Sequence, residues 1–147
     1  MNFIFNIYYC MKHLKVFENF HNLNEEELNS IRDLCDSHFA YLYDEGYIVK
    51  VENKVDKFGH DGRIVKPYTD IDIRKGNESS DFFTWSEIKD HFISFTIQLY
   101  SEYPLSIITF RKKENILGWV YKSYNVEDIL SDNIEHNLKI REVSIRI

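Results

Sequence analysis

The sequence predicts an α+β fold, a two-layer sandwich in which a mostly antiparallel sheet carries helices packed on one face, in the order α-β-β-α-β-β-α-β. Three observations carry this expectation. Three segments open with the same helix-capping grammar, the segments between them alternate apolar and polar residues at a period of two, and short Gly- or Asn-bearing clusters separate consecutive strands at hairpin spacing. Helices that alternate with hairpins build a sheet covered on one side. A length of 147 residues is enough for one domain to bury a core without metals or disulfides. No shift in composition marks a linker, so the chain divides into an N-terminal arm or edge strand, residues 1–23, and a single α+β domain, residues 24–147.

The first helix is expected over residues 24–45. Asn24 can cap it, Glu27 can return the bond, Leu23 and Leu28 flank the cap, and the acidic run Glu25, Glu26 and Glu27 suits the positive end of the helix dipole. Leu28, Ile31, Cys35, Phe39 and Leu42 recur at helical spacing and form one apolar face. Gly46 then suits a left-handed residue at the helix end. A strand follows over 47–52, with Val49 and Val51 on one side and Lys50 and Glu52 on the other. Residues 53–67 are the most irregular stretch and are expected to form a hairpin tip or a longer loop. A second strand over 68–75 places Ile71 and Ile73 inward and Asp70, Asp72 and Arg74 outward.

The clearest helix spans 83–104. Thr84 and Glu87 make a capping box, Phe83 and Ile88 flank it, and Pro104 ends it because proline disfavours the helical conformation at Tyr103. Phe92, Phe95 and Leu99 should be inaccessible, and His91 and Gln98 wet. Ile93, Ile97 and Tyr100 widen the apolar arc, so that side is expected to meet the first helix or the N-terminal arm. Next come strands over 107–110 and 117–124 joined by a turn at 113–115. A short third helix, capped by Asn125 with Asp128 in the return position, should end near Asp132 or Asn133. In the last strand, 138–147, Leu138 and Ile140 are in phase, whereas Val143, Ile145 and Ile147 follow the opposite phase. A β-bulge or bend is therefore predicted at Arg141 and Glu142. The helix-hairpin units that begin near Asn24 and Thr84 are similar enough to raise an internal duplication, but repeated use of good capping chemistry explains the likeness as well.

The opening decapeptide is apolar and aromatic, yet it lacks the basic stretch and small-residue cleavage site of a signal peptide and is too short to cross a bilayer. It reads as an added edge strand, or as an extension upstream of a natural start at Met11. From Met11 the sequence MKHLKVFENF, of the form M-K-x-L-x-x-F-x-x-F, resembles the opening of small uncharacterised proteins of tailed phages. The resemblance covers about ten residues and brings no functional residue with it. What it implies is an origin, and with it the host cytoplasm or the virion as location; a cytoplasmic protein is also the expectation from cysteine usage.

Cys10 and Cys35 are too few for a disulfide framework and have no zinc spacing. The net charge of −6 is spread along the chain and argues against unspecific binding to nucleic acid or to anionic membranes. No membrane partner and no cofactor is expected. Ten tyrosines and eleven phenylalanines, with phosphate loops, dinucleotide fingerprints and nucleophile elbows all absent, point to a non-enzymatic protein-protein interaction or structural protein. A virion component, an inhibitor of a host protein and a self-associating protein all belong to this class, and Phe3, Phe5, Tyr8, Tyr9, Trp119, Tyr121 and Tyr124 are the expected interaction residues.

Two alternatives rest on particular residues. His60 beside Asp61 and Asp56, with Arg63 near by, has the makings of a general base or a metal ligand in a small metal-dependent hydrolase or nucleotide-binding protein. The plainer reading of the same stretch is a turn made by Asp61 and Gly62. Asp70 and Asp72 project from one side of a strand and are candidate ligands for a divalent cation, although the ordinary reading is a solvated strand face. His38 and His91 read as surface residues and Cys35 as a core residue. The second alternative is a binder of single-stranded nucleic acid, in which Arg111, Lys112, Lys113 and Lys122 neutralise phosphates and Trp119, Tyr121 and Tyr124 stack on bases. The basic run is equally explained as solubilising charge at a hairpin turn.

Overall fold

The computed structural model describes residues 23–58, 64–78 and 80–147, the side chains of 56–58 and 64–66 excepted. The elements are α1 (Glu25–Tyr43), β1 (Tyr47–Phe58), β2 (Ile64–Lys75), β3 (Phe83–Thr84), α2 (Trp85–Glu102), β4 (Ile107–Glu114), β5 (Gly118–Tyr124), α3 (Val126–Leu130) and β6 (Lys139–Arg146). The strands form one sheet in the order β1-β2-β6-β4-β5, with β3 also paired to β6, and every pairing is antiparallel. The two hairpins thus flank the last strand, which closes the sheet between them. The predicted α+β sandwich and its order are what the chain adopts, with the two-residue β3 added.

Each helix starts where its capping residues predict. Asn24 Oδ1 accepts the Glu27 N–H at 2.8 Å, and Asn125 Oδ1 accepts that of Asp128 at 2.8 Å. The Thr84 N–H donates to Glu87 at 2.7 Å. These bonds satisfy N–H groups that have no partner inside the helix. In the turn after α1, Gly46 takes φ +88°, a conformation nearly free of cost only for glycine.

The helices cover one face of the sheet. Ile71 and Ile73 of β2, Ile108 and Phe110 of β4, and Ile140, Val143 and Ile145 of β6 are all fully buried on that inner face. They meet Leu28, Ile31, Phe39 and Leu42 of α1 and Trp85, Ile88, Phe92, Phe95 and Leu99 of α2. Ring contacts run through the layer: Phe39 lies 4.8 Å from Phe95, Trp85 5.4 Å from Phe110, and Phe110 4.6 Å from Tyr124. Burial of one such side chain stabilises by roughly 1.5–3 kcal/mol, so this layer supplies the driving force of the fold. On the second side of α2, Ile93 and Tyr100 pack at the core margin, while Ile97 is exposed. Gln98 is exposed as expected, and His91 is half-buried against Tyr41, 6.0 Å ring to ring.

The predicted bulge lies in β6. Glu142 pairs with Arg111 and Ile140 with Lys112, which leaves Arg141 as the extra residue. Ile140 and Val143 therefore both face inward although they stand three residues apart.

Three boundaries differ from expectation. The irregular stretch 53–67 is mostly strand, for β1 runs to Phe58 and β2 begins at Ile64, paired Phe58 to Ile64. Pro67 is tolerated in β2 because its neighbour Thr69 exchanges both backbone bonds with Ile147. Two residues back, on the same side, β6 has ended, and no ladder bond needs a proline N–H. The turn of the second hairpin falls at 115–117 rather than 113–115, since Gly118 takes the left-handed φ of +75°. Finally, α3 stops at Leu130, short of Asp132, with Ser131 extended at its end.

Candidate functional site

The outer face of the sheet, on which no described helix packs, is built from the alternate residues of the same strands. Reading across β2, β6, β4 and β5, one row is Arg74, Glu142, Arg111 and Tyr121, and the next is Asp72, Ser144, Thr109 and Ser123. The bulge adds Arg141 to this face, where its guanidinium lies 4.1 Å from the centre of the Trp119 ring. Arg111 lies 5.7 Å above Tyr121, Arg146 3.8 Å above Tyr68, and Lys139 5.2 Å above Phe82. Phe82 and Trp119 are 6.3 Å apart. The face is thus a set of aromatic rings, each with a cation over it. Such a contact is worth about 0.5–1 kcal/mol at an exposed site.

Ile107, Thr109, Arg111, Tyr121, Glu142, Ser144 and Arg146 line a shallow groove of about 330 Å³ along β4. Tyr121 is 69% exposed, which offers a ring edge and face to whatever enters.

Beside this groove lies a polar network. Asp70 and Asp72 were expected outward and solvated. They do point outward, but they are only 5% and 7% exposed, because long neighbouring side chains lie over them. Lys54 donates to Asp70 Oδ2 at 2.9 Å and Ser144 to Asp70 Oδ1 at 2.6 Å. Arg74 Nε and Nη2 both reach Asp72 Oδ2, at 3.0 and 2.9 Å, and Arg74 also approaches Glu142 at 3.4 Å. Cations already occupy both carboxylates, so their arrangement is that of an ion-pair network rather than a cation site.

Asp72 Oδ1 remains buried with no donor among the described residues. Burial and the charge of Asp72 push the Glu142 carboxyl above its ordinary value, Arg74 opposing.

The basic and aromatic residues singled out in the second hairpin are divided by the pleat. Arg111, Lys113, Trp119 and Tyr121 reach the outer face, whereas Lys112, Lys122 and Tyr124 belong to the side of the helices. Tyr124 is a correction to its expected role in interaction: it is 9% exposed and packed on Phe110. At the hairpin tip, Ile116 and Leu117 are 94% and 73% exposed.

Phe3, Phe5, Tyr8 and Tyr9, together with Cys10, His60, Asp61, Arg63 and the side chain of Asp56, lie outside the described residues. His38 bonds Gln98 at 3.0 Å on the helix surface. Cys35 is buried, and burial with the Asp36 charge pushes its thiol up to about 12, the reverse of an activated nucleophile. Among the described residues no group of three or more His, Cys, Asp or Glu could hold a metal ion, and no helix is long and apolar enough to cross a membrane.

Arg141, Glu142, Arg146, Tyr68 and Phe82 went unnoticed as site residues in the sequence. The period-two alternation that puts Ile145 and Val143 inward was the available signal for Arg146 and Glu142. No local signal exists for Phe82 meeting Trp119, which requires β3 to pair with β6.

No protein-family model matches the chain, no curated protein matches it, and no solved structure matches it.

Proposed function

We propose that this chain is a non-enzymatic interaction protein that binds its ligand on the outer face of the sheet. One observation carries the reading: Trp119, Tyr121 and Phe82 stand with cations over their rings on a face that no described helix covers. Aromatic and arginine side chains are the residue types enriched in the energetically dominant parts of binding surfaces, where they bury much area. The opposite layer of the molecule is of another kind. The exposed helix surface carries Glu25, Glu26, Asp33, Asp36, Asp90 and Glu102, a solvated acidic coat with no ring contacts of this sort among the described residues.

The test is differential. The immobilised full chain and its W119A/Y121A variant are exposed to an extract of the natural cell, with thermal melts of both to confirm folding. Components held by the wild type and released by the folded variant are the expected result; identical retention by both overturns the assignment of this face. A contact with another protein through the β4–β5 turn is the second reading, favoured by the exposure of Ile116 and Leu117. It predicts that I116S/L117S, rather than W119A/Y121A, releases the bound component.

A further inference from the structure

Resting on that reading of the outer face, we propose that its ligand is a single strand of nucleic acid, with bases stacked on Tyr121 and on the Trp119–Arg141 pair and phosphates held by Arg111, Arg141 and Arg146. The net charge of the chain, −6, conceals how the charge is divided. Of the acids of the outer face, Asp70 is occupied by Lys54 and Ser144 and Asp72 by Arg74, while Glu52 stands on β1, at the edge of the sheet away from β4 and β5. Arg111 and Arg141, by contrast, make no ion pair among the described residues, and each has a buried Nε without a hydrogen-bond acceptor. Lys113 and Lys139 are exposed near by. The half of the face made by β4, β5 and β6 is therefore cationic, with Glu142 as the one carboxylate lining the groove.

The spacing of the rings selects the form of the ligand. Trp119 and Tyr121 are two residues apart on β5, so their side chains project about 7 Å apart on the same face. Bases in a duplex are stacked about 3.4 Å apart and present only their edges. Rings at twice that spacing accept bases only when these are splayed from one another, which a single strand allows and a duplex resists. At Trp119 the ring is covered by the Arg141 guanidinium, whose plane is itself a stacking platform for a base. Tyr121 is 69% exposed even with Arg111 5.7 Å over its ring, and its ring takes a base directly. The Thr109 hydroxyl on the groove floor, 3.3 Å from Ser123 Oγ, lies between Arg111 and Arg146, where a backbone phosphate would be bound. Stacking and phosphate contacts of this kind are tolerant of sequence, so the expected ligand is a class and not a single motif.

The experiment uses the full chain with fluorescein-labelled oligo(dT) and oligo(rU) of about a dozen nucleotides, a size within the range of compact single-strand sites, and a duplex of the same length. Of the two tryptophans, Trp85 is 1% exposed, so quenching of tryptophan emission reports on Trp119. Expected are quenching by one or both single strands and weaker binding of the duplex. Affinity should fall with salt at a logarithmic slope of about −2 for three phosphate contacts. Tyr121→Ala should weaken binding at least about fivefold, and Arg111→Gln should flatten the salt slope by about 0.7. Tyr121 and Arg111 are not core residues, and unchanged melting temperatures verify that the variants fold. Glu26→Gln on the helix layer serves as the control without effect.

Absence of binding to both single strands at low salt overturns the proposal, as does equal affinity for the duplex or indifference to Tyr121→Ala. If the oligonucleotides fail while W119A/Y121A still releases a component from the extract, the face stands and its ligand is a protein. If both fail, the face itself is not the ligand surface.

Discussion

The two faces of the sheet are made by the same strands and share nothing else. On β2 the inner face is Ile71 and Ile73, each with no solvent exposure, while one residue away the outer face is Asp70 and Asp72. At these residues both faces are dry, for different reasons. The inner face is covered by helices whose apolar stripes match it. Side chains of the sheet itself cover the outer one, with Lys54 and Arg74 folded over the carboxylates and Arg141, Arg111 and Arg146 laid across aromatic rings. Burial alone therefore does not distinguish a packed face from the proposed binding face. The inner contacts are held by packing that has no alternative arrangement, whereas the outer cations are tethered by exposed, screened interactions of small net worth and can exchange them for a ligand.

Neighbouring substitutions on β2 give the largest separation. Ile71→Ala should cost about 2–5 kcal/mol, since it leaves a cavity in a packed core. Asp70→Ala should cost about 1–2 kcal/mol, because Lys54 is 40% exposed and recovers much of its hydration. Urea denaturation of the two variants measures both, and equal losses would show that the outer face is as structural as the inner one.

A smaller effect sharpens the comparison through pH. The folded state holds the Glu142 carboxyl above its ordinary value, through burial and the charge of Asp72, in a setting that also contains Arg74, Asp70 and Arg111. A group raised on folding contributes stability that is present in full below its unfolded value and is lost as pH rises through the folded one. Glu142→Gln should therefore be more stable than the wild type at neutral pH. The difference should shrink as pH falls through the raised value towards the ordinary carboxylate value near 4.5. Thermal melts between pH 4 and 8 should show the wild-type curve approaching the variant's on the acid side; parallel curves would mean that folding does not raise the Glu142 carboxyl.

Much of the architecture was legible. Asn24, Thr84 with Glu87, and Asn125 marked the three helix starts among the described residues because capping is settled within four residues. The phase switch between Ile140 and Val143 announced the bulge because a strand has a strict period of two. The ends of the first hairpin were not legible. Whether 53–58 and 64–67 extend as strand depends on pairing with each other, and Pro67 is harmless only because β6 ends beside it. The site was half legible. Trp119, Tyr121 and Arg111 stood out by composition, but Lys112, Lys122 and Tyr124 stood out with them, although the pleat sends these three to the other side.

By itself, then, the sequence determined which segments become helices and strands, where the helices begin, and which residues are apolar enough to face the core. These depend on neighbours within about one turn or one strand. Only the tertiary structure decided that the last strand lies between the two hairpins. This position brings Arg141 onto Trp119 and Glu142 against Asp72, and it turns a chain of net negative charge into one with a cationic, aromatic half-face. Such contacts join residues far apart in the chain, and register between distant strands, rather than any local preference, sets them.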